Sequence, residues 1–559
     1  MIETSAAGSS ASADNDGPSS TIGDGPETGN QPAPNPGNAS VAVAEKPTRQ
    51  RYASLAFRWF GTTFSPGSPV RRIQHHGLAA AVAGIMAATV VLVRLLLPST
   101  VGVADRGDGF MMMCRLGLSN VRPWSYEEFT QFIFPQWVPH SWVGEACPAN
   151  SDSLYWFSSP HLLAWLGQLL TPVLGWGNGL DTRAIAVVSA AVFGLLLAGF
   201  VVACPGRLPF RLLAAAGMTA VVSDSTFAVF FVSPYPQAAL FLGLFGLFVS
   251  LLFLWRRDTV TIPGLVGVAV AALCVFTADP QTVAILPALA LALWWRPSRT
   301  RVGASTTLEA FGKYRFIRRI TATIVIVALT AGAALTLGAT AHKDREAQLY
   351  NAVFAEVLAY SPNPEEDLAW FGVSADFARY AGTSYGTADS GINNPNFEQF
   401  TTEVTNLKLA GFYLTHPERL VSLSERGVLA LVRPQMNYLG HYTQESGQAE
   451  YSQDTRVSVV SKILWGLGSA PIAAFGLQLL VLVLGVAVAL RRNVGLVAVA
   501  LGRTSTIMVV AAWLLFWNVM FSQGEVDIYF RMLGPTFLTA LCLPLLPMLV
   551  SILVAGRRP

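Results

Sequence analysis

Long apolar runs separated by polar connections organise this chain. The runs fall at 78–97, 184–203, 212–222, 238–254, 262–276, 283–295, 320–337, 471–490, 507–521 and 532–554. A bilayer core takes about 20 apolar residues in a helix. The pattern therefore predicts an all-α polytopic membrane protein of about ten transmembrane helices, several of them short. Short spans suit a bundle that thins the bilayer or surrounds a cavity. The stretch from Phe227 to Val232 is too short to cross and is expected to dip into the interface, which polar backbone tolerates only against protein or water. Arg94, near the end of the first run, must snorkel or face a cavity.

The connections alternate in character. Those at 207–211, 256–257, 296–319 and 491–503, and the end at 557–558, are Arg-rich. By the positive-inside rule they face the cytoplasm, with both termini inside a bacterial plasma membrane. The opposite connections are acidic, aromatic and rich in Gly and Pro. Two are long: a first outer loop over 99–182, and a mostly helical outer segment over 341–462 between the seventh and eighth spans. Residues 1–49 are Ser, Gly, Pro, Asn and Asp with few large apolar residues, and read as a disordered cytoplasmic tail. Residues 50–76 form a basic juxtamembrane segment. The bundle then occupies 77–340 and closes with C-terminal helices over 463–559.

Composition agrees with this reading. The 559 residues are 52% hydrophobic and 13% charged, against about 25% charged in soluble domains. A net charge of +3 gives no basis for nucleic-acid binding. No CxxC, HExxH, P-loop or GxGxxG pattern is present, so the chain shows no structural-metal, ATP or NAD signature.

Four polar clusters map to the outer face. Asp105 and Asp108 flank Arg106-Gly107 just after the first span. A partly desolvated carboxylate there suits a general base for a sugar hydroxyl, while a solvated helix-capping turn is the alternative. Asp224 precedes Ser233-Pro234-Tyr235-Pro236-Gln237. Asp279-Pro280-Gln281 forms a tight turn in which Asp279 either contacts substrate or caps the next helix. Arg531, after Glu525 and Asp527, either holds a phosphate bidentately or pairs with Asp527 one turn away. Acidic groups with an Arg at one interface fit a lipid-phosphate donor whose head group projects outward. Cys114 and Cys147 lie in the first outer loop, as a disulfide or as two thiols. Cys204, Cys274 and Cys542 lie in or beside spans as packing residues.

In the outer segment, helical periodicity runs from His342 through Val357 until Pro362 and Pro364 break it. Pro417 opens an amphipathic helix from Glu418 to Leu431. Tyr380, Tyr385, Tyr413, Tyr438 and Tyr442 are suited to stack on sugar rings or simply to pack.

The order of parts resembles the GT-C class of membrane glycosyltransferases, and more narrowly the WsfD-type glycan hexosyltransferases. The residues carrying the likeness are Gly107-Asp108, Tyr235-Pro236-Gln237, Asp279-Pro280-Gln281, Tyr350-Asn351-Ala352-Val353-Phe354 and Ser361-Pro362-Asn363-Pro364 with Glu365-Glu366-Asp367-Leu368. Tyr380-Ala381-Gly382-Thr383-Ser384-Tyr385, Phe412-Tyr413-Leu414-Thr415-His416-Pro417, Gly524 and Arg531 complete it, over 78–554. The resemblance implies transfer of a hexose from a polyprenyl-phosphate sugar to an envelope glycan or glycolipid. In that reading Asp108 or Asp105 is the base and Arg531 binds phosphate. Tyr235, Gln237, Asp279, Gln281 and Asp224 line the substrate, and a divalent metal is admitted but not demanded. Two other functions stand beside it: a flippase for lipid-linked saccharides, and a non-catalytic scaffold of envelope assembly.

Overall fold

The structure is a computed structural model. It describes residues 72–104, 109–121, 131–141, 158–256, 262–295, 308–338, 342–433, 440–468, 470, 472–491, 493–523 and 528–555. The expected tail over 1–49, most of the basic flank, Asp105, Asp108 and Cys147 lie outside these residues.

The fold is mostly helical. In chain order the principal helices are α1 (Arg72–Leu96), α2 (Ser159–Leu170), α3 (Thr182–Ala203), α4 (Leu208–Val222), α5 (Gln237–Trp255), α6 (Ile262–Ala278), α7 (Leu286–Trp294) and α8 (Leu308–Gly338). They continue as α9 (His342–Tyr350), α10 (Asn406–Thr415), α11 (Pro417–Val432), α12 (Val459–Leu467), α13 (Ile472–Leu490), α14 (Leu496–Gln523) and α15 (Leu533–Ala555). Among the described residues seven helices are long and apolar enough to cross a membrane. An eighth span arises if α4 and the following Ser225–Val232, bent by 55°, count as one. Ile262–Ala278 and Pro280–Trp294 are shorter apolar helices. Together these cover all ten expected runs.

Helix α5 is apolar all round and buried along most of its length, which is why it sits at the centre. Its Phe241 stacks on Phe537 of α15, and its Phe245 meets Phe193 of α3. Helices α1 and α3 cross at Gly84 and Gly194, where a Cβ on either residue would run into the other's carbonyl. Gly485 of α13 and Gly502 of α14 make a second crossing of the same kind. Small residues at such crossings let backbones approach closely, which is how helices associate in lipid.

Three expectations change in detail. The Arg-rich connection at 491–503 is shorter than expected, because α14 begins at Leu496 and takes Arg503 inside. Its buried guanidinium lies over the Trp295 ring, 5.8 Å from the centroid. The dip at 227–232 is a helical turn, Ser225–Ala228, continued by a 3₁₀ turn, Val229–Val232, with every residue buried. The helix expected over 342–357 becomes α9 followed by a π-helix, Asn351–Val357.

Short strands tie the connections to the bundle. β1 (Val101–Gly102) precedes β2 (Leu118–Asn120), β3 (Gln136–Pro139) and β4 (Leu180–Asp181), which form an antiparallel sheet in the order β2-β3-β4. β1 pairs antiparallel with the distant β5 (His441–Tyr442), Val101 opposite Tyr442. Residues 342–433 have an aromatic core of their own, including Tyr350, Phe354, Phe400 and Phe412. It is continuous with Phe516 and Met520 of α14 and with Met532 at the mouth of α15. The Thr536 hydroxyl of α15 donates to the Leu431 carbonyl at 3.0 Å, seating α11 on that end of the bundle.

Candidate functional site

Three helix ends converge beneath the segment 342–433. A Cβ placed on Gly534 of α15 would stand 3.6 Å from Leu240 of α5 and 3.8 Å from Leu515 of α14. One turn further toward the end lie Gln237 of α5, Asn518 of α14 and Arg531, on the short helix Ile528–Arg531. The Tyr235 ring meets Phe530, the neighbour of Arg531, at 5.6 Å between centroids. Asn518 Nδ2 donates to the Gln281 carbonyl at 3.1 Å, bringing the Asp279-Pro280-Gln281 turn to the same rim.

The rim collects buried polar atoms that have no hydrogen-bond partner among the described residues. They are Gln237 Oε1, both amide atoms of Gln281, Ser522 Oγ and Arg531 Nε. Each such group costs about 1–3 kcal/mol if left unsatisfied. Their residues sit on elements that meet at this rim, and unsatisfied buried groups there mark a surface suited to polar ligand atoms. Tyr235, Gln237, Gln281 and Arg531 were expected at the site from sequence; Asn518 and Ser522 were not. The latter pair sits at the end of an apolar run, four residues apart and so on one helix face, the one signal that sequence offered for them.

Two sequence candidates have backbone partners instead. Asp279 caps the 3₁₀ turn Pro280–Ile285, accepting from Gln281 N at 3.0 Å, with Pro280 at the first position. Asp224 is fully buried and accepts from Thr226 N at 3.1 Å, Val460 N at 2.9 Å and Ser461 N at 3.1 Å. Its carboxylate joins the break after α4 to the start of α12, a structural clamp that sequence could not distinguish from a ligand. Cys114 is disulfide-bonded, whereas Cys204, Cys274 and Cys542 are free thiols. No group of three or more His, Cys, Asp or Glu positioned for a metal ion occurs among the described residues.

The loop bearing Asp105 and Asp108 lies outside the described residues, but its lead-in is firmly held. Val101, Val103 and Ala104 are buried, and a side chain at Gly102 would collide with the Val232 carbonyl, three residues before Tyr235. Below it lies an ionic network. Arg94 Nη2 of α1 is 2.6 Å from Asp454 Oδ2, both side chains buried, and donates to Ser225 Oγ at 2.9 Å. Asp454 Oδ2 makes no aligned hydrogen bond, so this approach is primarily one of charge. Arg456 Nε donates to Asp454 Oδ1 at 2.8 Å, and its Nη2 to the Arg94 carbonyl at 2.8 Å. The Tyr442 hydroxyl donates to Asp454 Oδ1 at 3.3 Å. Burial, then the Asp454 charge, pushes that phenol above its ordinary range. Sequence reasoning found Arg94 by its cost in a span, but had no signal for its partner.

A cleft of about 340 Å³ opens in the segment 342–433. The π-helix, the turn that follows it, α10 and α11 line it with Glu356, Tyr360, Tyr413, Glu418, Arg419 and Arg426. Arg426 pairs with buried Glu356 and stacks over Tyr360, 3.8 Å from the ring centroid. Arg419 reaches Asp367 at 3.3 Å. Burial first, and then the Glu356 charge, pushes the Tyr413 hydroxyl well above the usual tyrosine range, so it stays protonated. The Tyr413 ring also touches Phe521 of α14 at 5.4 Å, next to Ser522, so the cleft adjoins the rim.

No curated protein and no solved structure matches the chain. The family described as the YfdI N-terminal transmembrane domain matches residues 70–552. With its row of apolar helices, this is a multi-pass membrane protein, and the chain belongs to the YfdI N-terminal transmembrane domain family.

Proposed function

We propose that the protein is a glycosyltransferase that moves a hexose from a polyprenyl-phosphate sugar to an envelope glycan or glycolipid. The reaction takes place on the outer face of a bacterial plasma membrane, with both termini cytoplasmic. The observation that carries this reading is the set of orphaned polar atoms on Gln237, Gln281, Ser522 and Arg531. These residues sit on elements that end together at this rim; in this reading the polyprenyl tail stays in the bilayer while its phosphate meets them.

In this reading Arg531 holds the donor phosphate, for which a guanidinium offers paired donors. The Gln237 and Gln281 amides and the Ser522 hydroxyl complete its polar surroundings. Asp108, or Asp105, takes the proton from the acceptor hydroxyl. The acceptor oxygen forms a bond to the sugar's anomeric carbon as the bond from that carbon to the phosphate oxygen breaks. The electron pair leaves on the polyprenyl phosphate, beside Arg531. Arg stabilises the charge that develops on the leaving group, and donors aimed at developing charge are worth about 10²–10³-fold in rate each.

The test is a transfer assay in membranes with labelled polyprenyl-phosphate hexoses. Asp108→Asn is expected to lower transfer by about 10²–10⁴-fold, the usual worth of a general base. Wild-type transfer in that variant removes Asp108 as the base. Absence of transfer by the unmodified protein from every polyprenyl-phosphate hexose tested rejects the reading.

A further inference from the structure

We infer that the cleft between the π-helix Asn351–Val357 and α11 binds a pyranose ring of the acceptor saccharide. This rests on the transferase reading and adds to it a second subsite, on the extramembrane segment.

Four observations converge. The first is chemical. Carbohydrate offers apolar ring faces and many hydroxyls that both donate and accept. The cleft presents Tyr360, exposed at its rim, and buried Phe412 and Tyr413 at its base. Around them stand carboxylates that accept and guanidiniums that donate. The second is charge. Glu356 and Glu418 balance Arg419 and Arg426, and each arginine already faces a carboxylate, Asp367 for Arg419 and Glu356 for Arg426. An anionic phosphate would have to displace these carboxylates, whereas a neutral polyol can bond to both members of each pair. The third is size. The volume lies at the small end of the range of about 300–1,000 Å³ found for ligand pockets, which suits one or two sugar rings. The fourth is local backbone. The chain departs from α geometry for seven residues at the cleft wall, carrying Glu356 and Val357 into it. Such π turns are rare and recur at functional sites. The position fits an acceptor: Tyr413 lines the cleft and touches α14 beside Ser522 of the rim.

The experiment uses the full chain in lipid nanodiscs, free of sugar-based detergent. Saturation-transfer NMR is recorded with methyl glucoside, methyl galactoside and methyl mannoside, with inorganic phosphate as competitor. Tyr360→Ala and Glu418→Gln change exposed side chains; the first also removes the ring over which Arg426 stacks, so thermal unfolding is the check that the fold and the Glu356–Arg426 pair survive. At least one glycoside is expected to give signal on its ring protons that excess phosphate does not displace. Each variant is expected to weaken it, Tyr360→Ala by up to about tenfold, the worth of a lost aromatic contact. No signal from any of the three, displacement by phosphate, or an unchanged signal in both folded variants overturns the proposal. The two readings separate cleanly. Transfer by the unmodified protein with no cleft-dependent glycoside signal rejects the cleft alone. A cleft-dependent signal without transfer from any donor rejects the transferase.

Discussion

Arg94 sits near the end of the first apolar helix, where an uncompensated guanidinium is expensive. Asp454 compensates it from 360 positions later in the chain, at 2.6 Å and out of reach of solvent. Removing one partner of a buried pair leaves the other stranded, at a cost of about 3–5 kcal/mol. Asp454→Ala is therefore expected to lower the midpoint of thermal unfolding sharply. A double change, Arg94→Met with Asp454→Leu, should recover much of the loss, as measured by the same melt. Asp224 makes a different prediction. Its Oδ2 accepts from two backbone amides, and Asp224→Asn is expected to cost about 1–3 kcal/mol of stability whether or not substrate is present. Arg531→Ala should do the reverse, leaving the melt nearly unchanged while transfer falls by about 10²–10³-fold. Sequence alone ranked Asp224 and Arg531 together, as charges beside apolar runs. What separates them is who their partners are, and the amides that satisfy Asp224 belong to residues 236 and 237 positions away.

At the scale of elements, the length and placement of the apolar helices were legible because a bilayer imposes a run length that any window reveals. Their ends were less so. Helix α14 starts eleven residues before the apolar run, at Leu496 rather than 507, because Arg503 finds an aromatic face at Trp295 and need not leave the helix. Which helices cross, and where, was not legible. The sequence holds 48 glycines, and nothing in their spacing marks Gly84, Gly194, Gly485 and Gly502 as the ones whose carbonyls lie against a neighbouring helix. Gly84→Val is expected to force α1 and α3 apart, while Gly476→Val on α13, where a Cβ meets open space, should be tolerated. The yield of monodisperse protein on size exclusion distinguishes the two. The candidate site was legible in the same uneven way. Tyr235, Gln237, Gln281 and Arg531 stood out as polar residues at the ends of apolar runs. The cleft did not, because its residues come from three helices and the turn at Tyr360, whose packing depends on a shared aromatic core.

For the whole molecule, the positive-inside rule sets the arginine-rich connections and the helical segment 342–433 on opposite faces of the membrane, an orientation open to a direct test. Glu450 and Asn493 are both exposed. Glu450→Cys is expected to react with a membrane-impermeant maleimide added to intact cells, and Asn493→Cys only after permeabilisation; the opposite pattern would invert the protein in its membrane. One further property follows from the pairing of β1 with β5 and of Arg94 with Asp454. The first span leaves the ribosome early, yet the strand and carboxylate that fix its exit loop are made more than 300 residues later. Until then β1 has no strand partner, and the first span crosses the bilayer with Arg94 uncompensated by Asp454. Assembly is thus ordered by synthesis: a nascent protein stalled before β5 would be inserted in the membrane with β1 unpaired and Arg94 without its carboxylate.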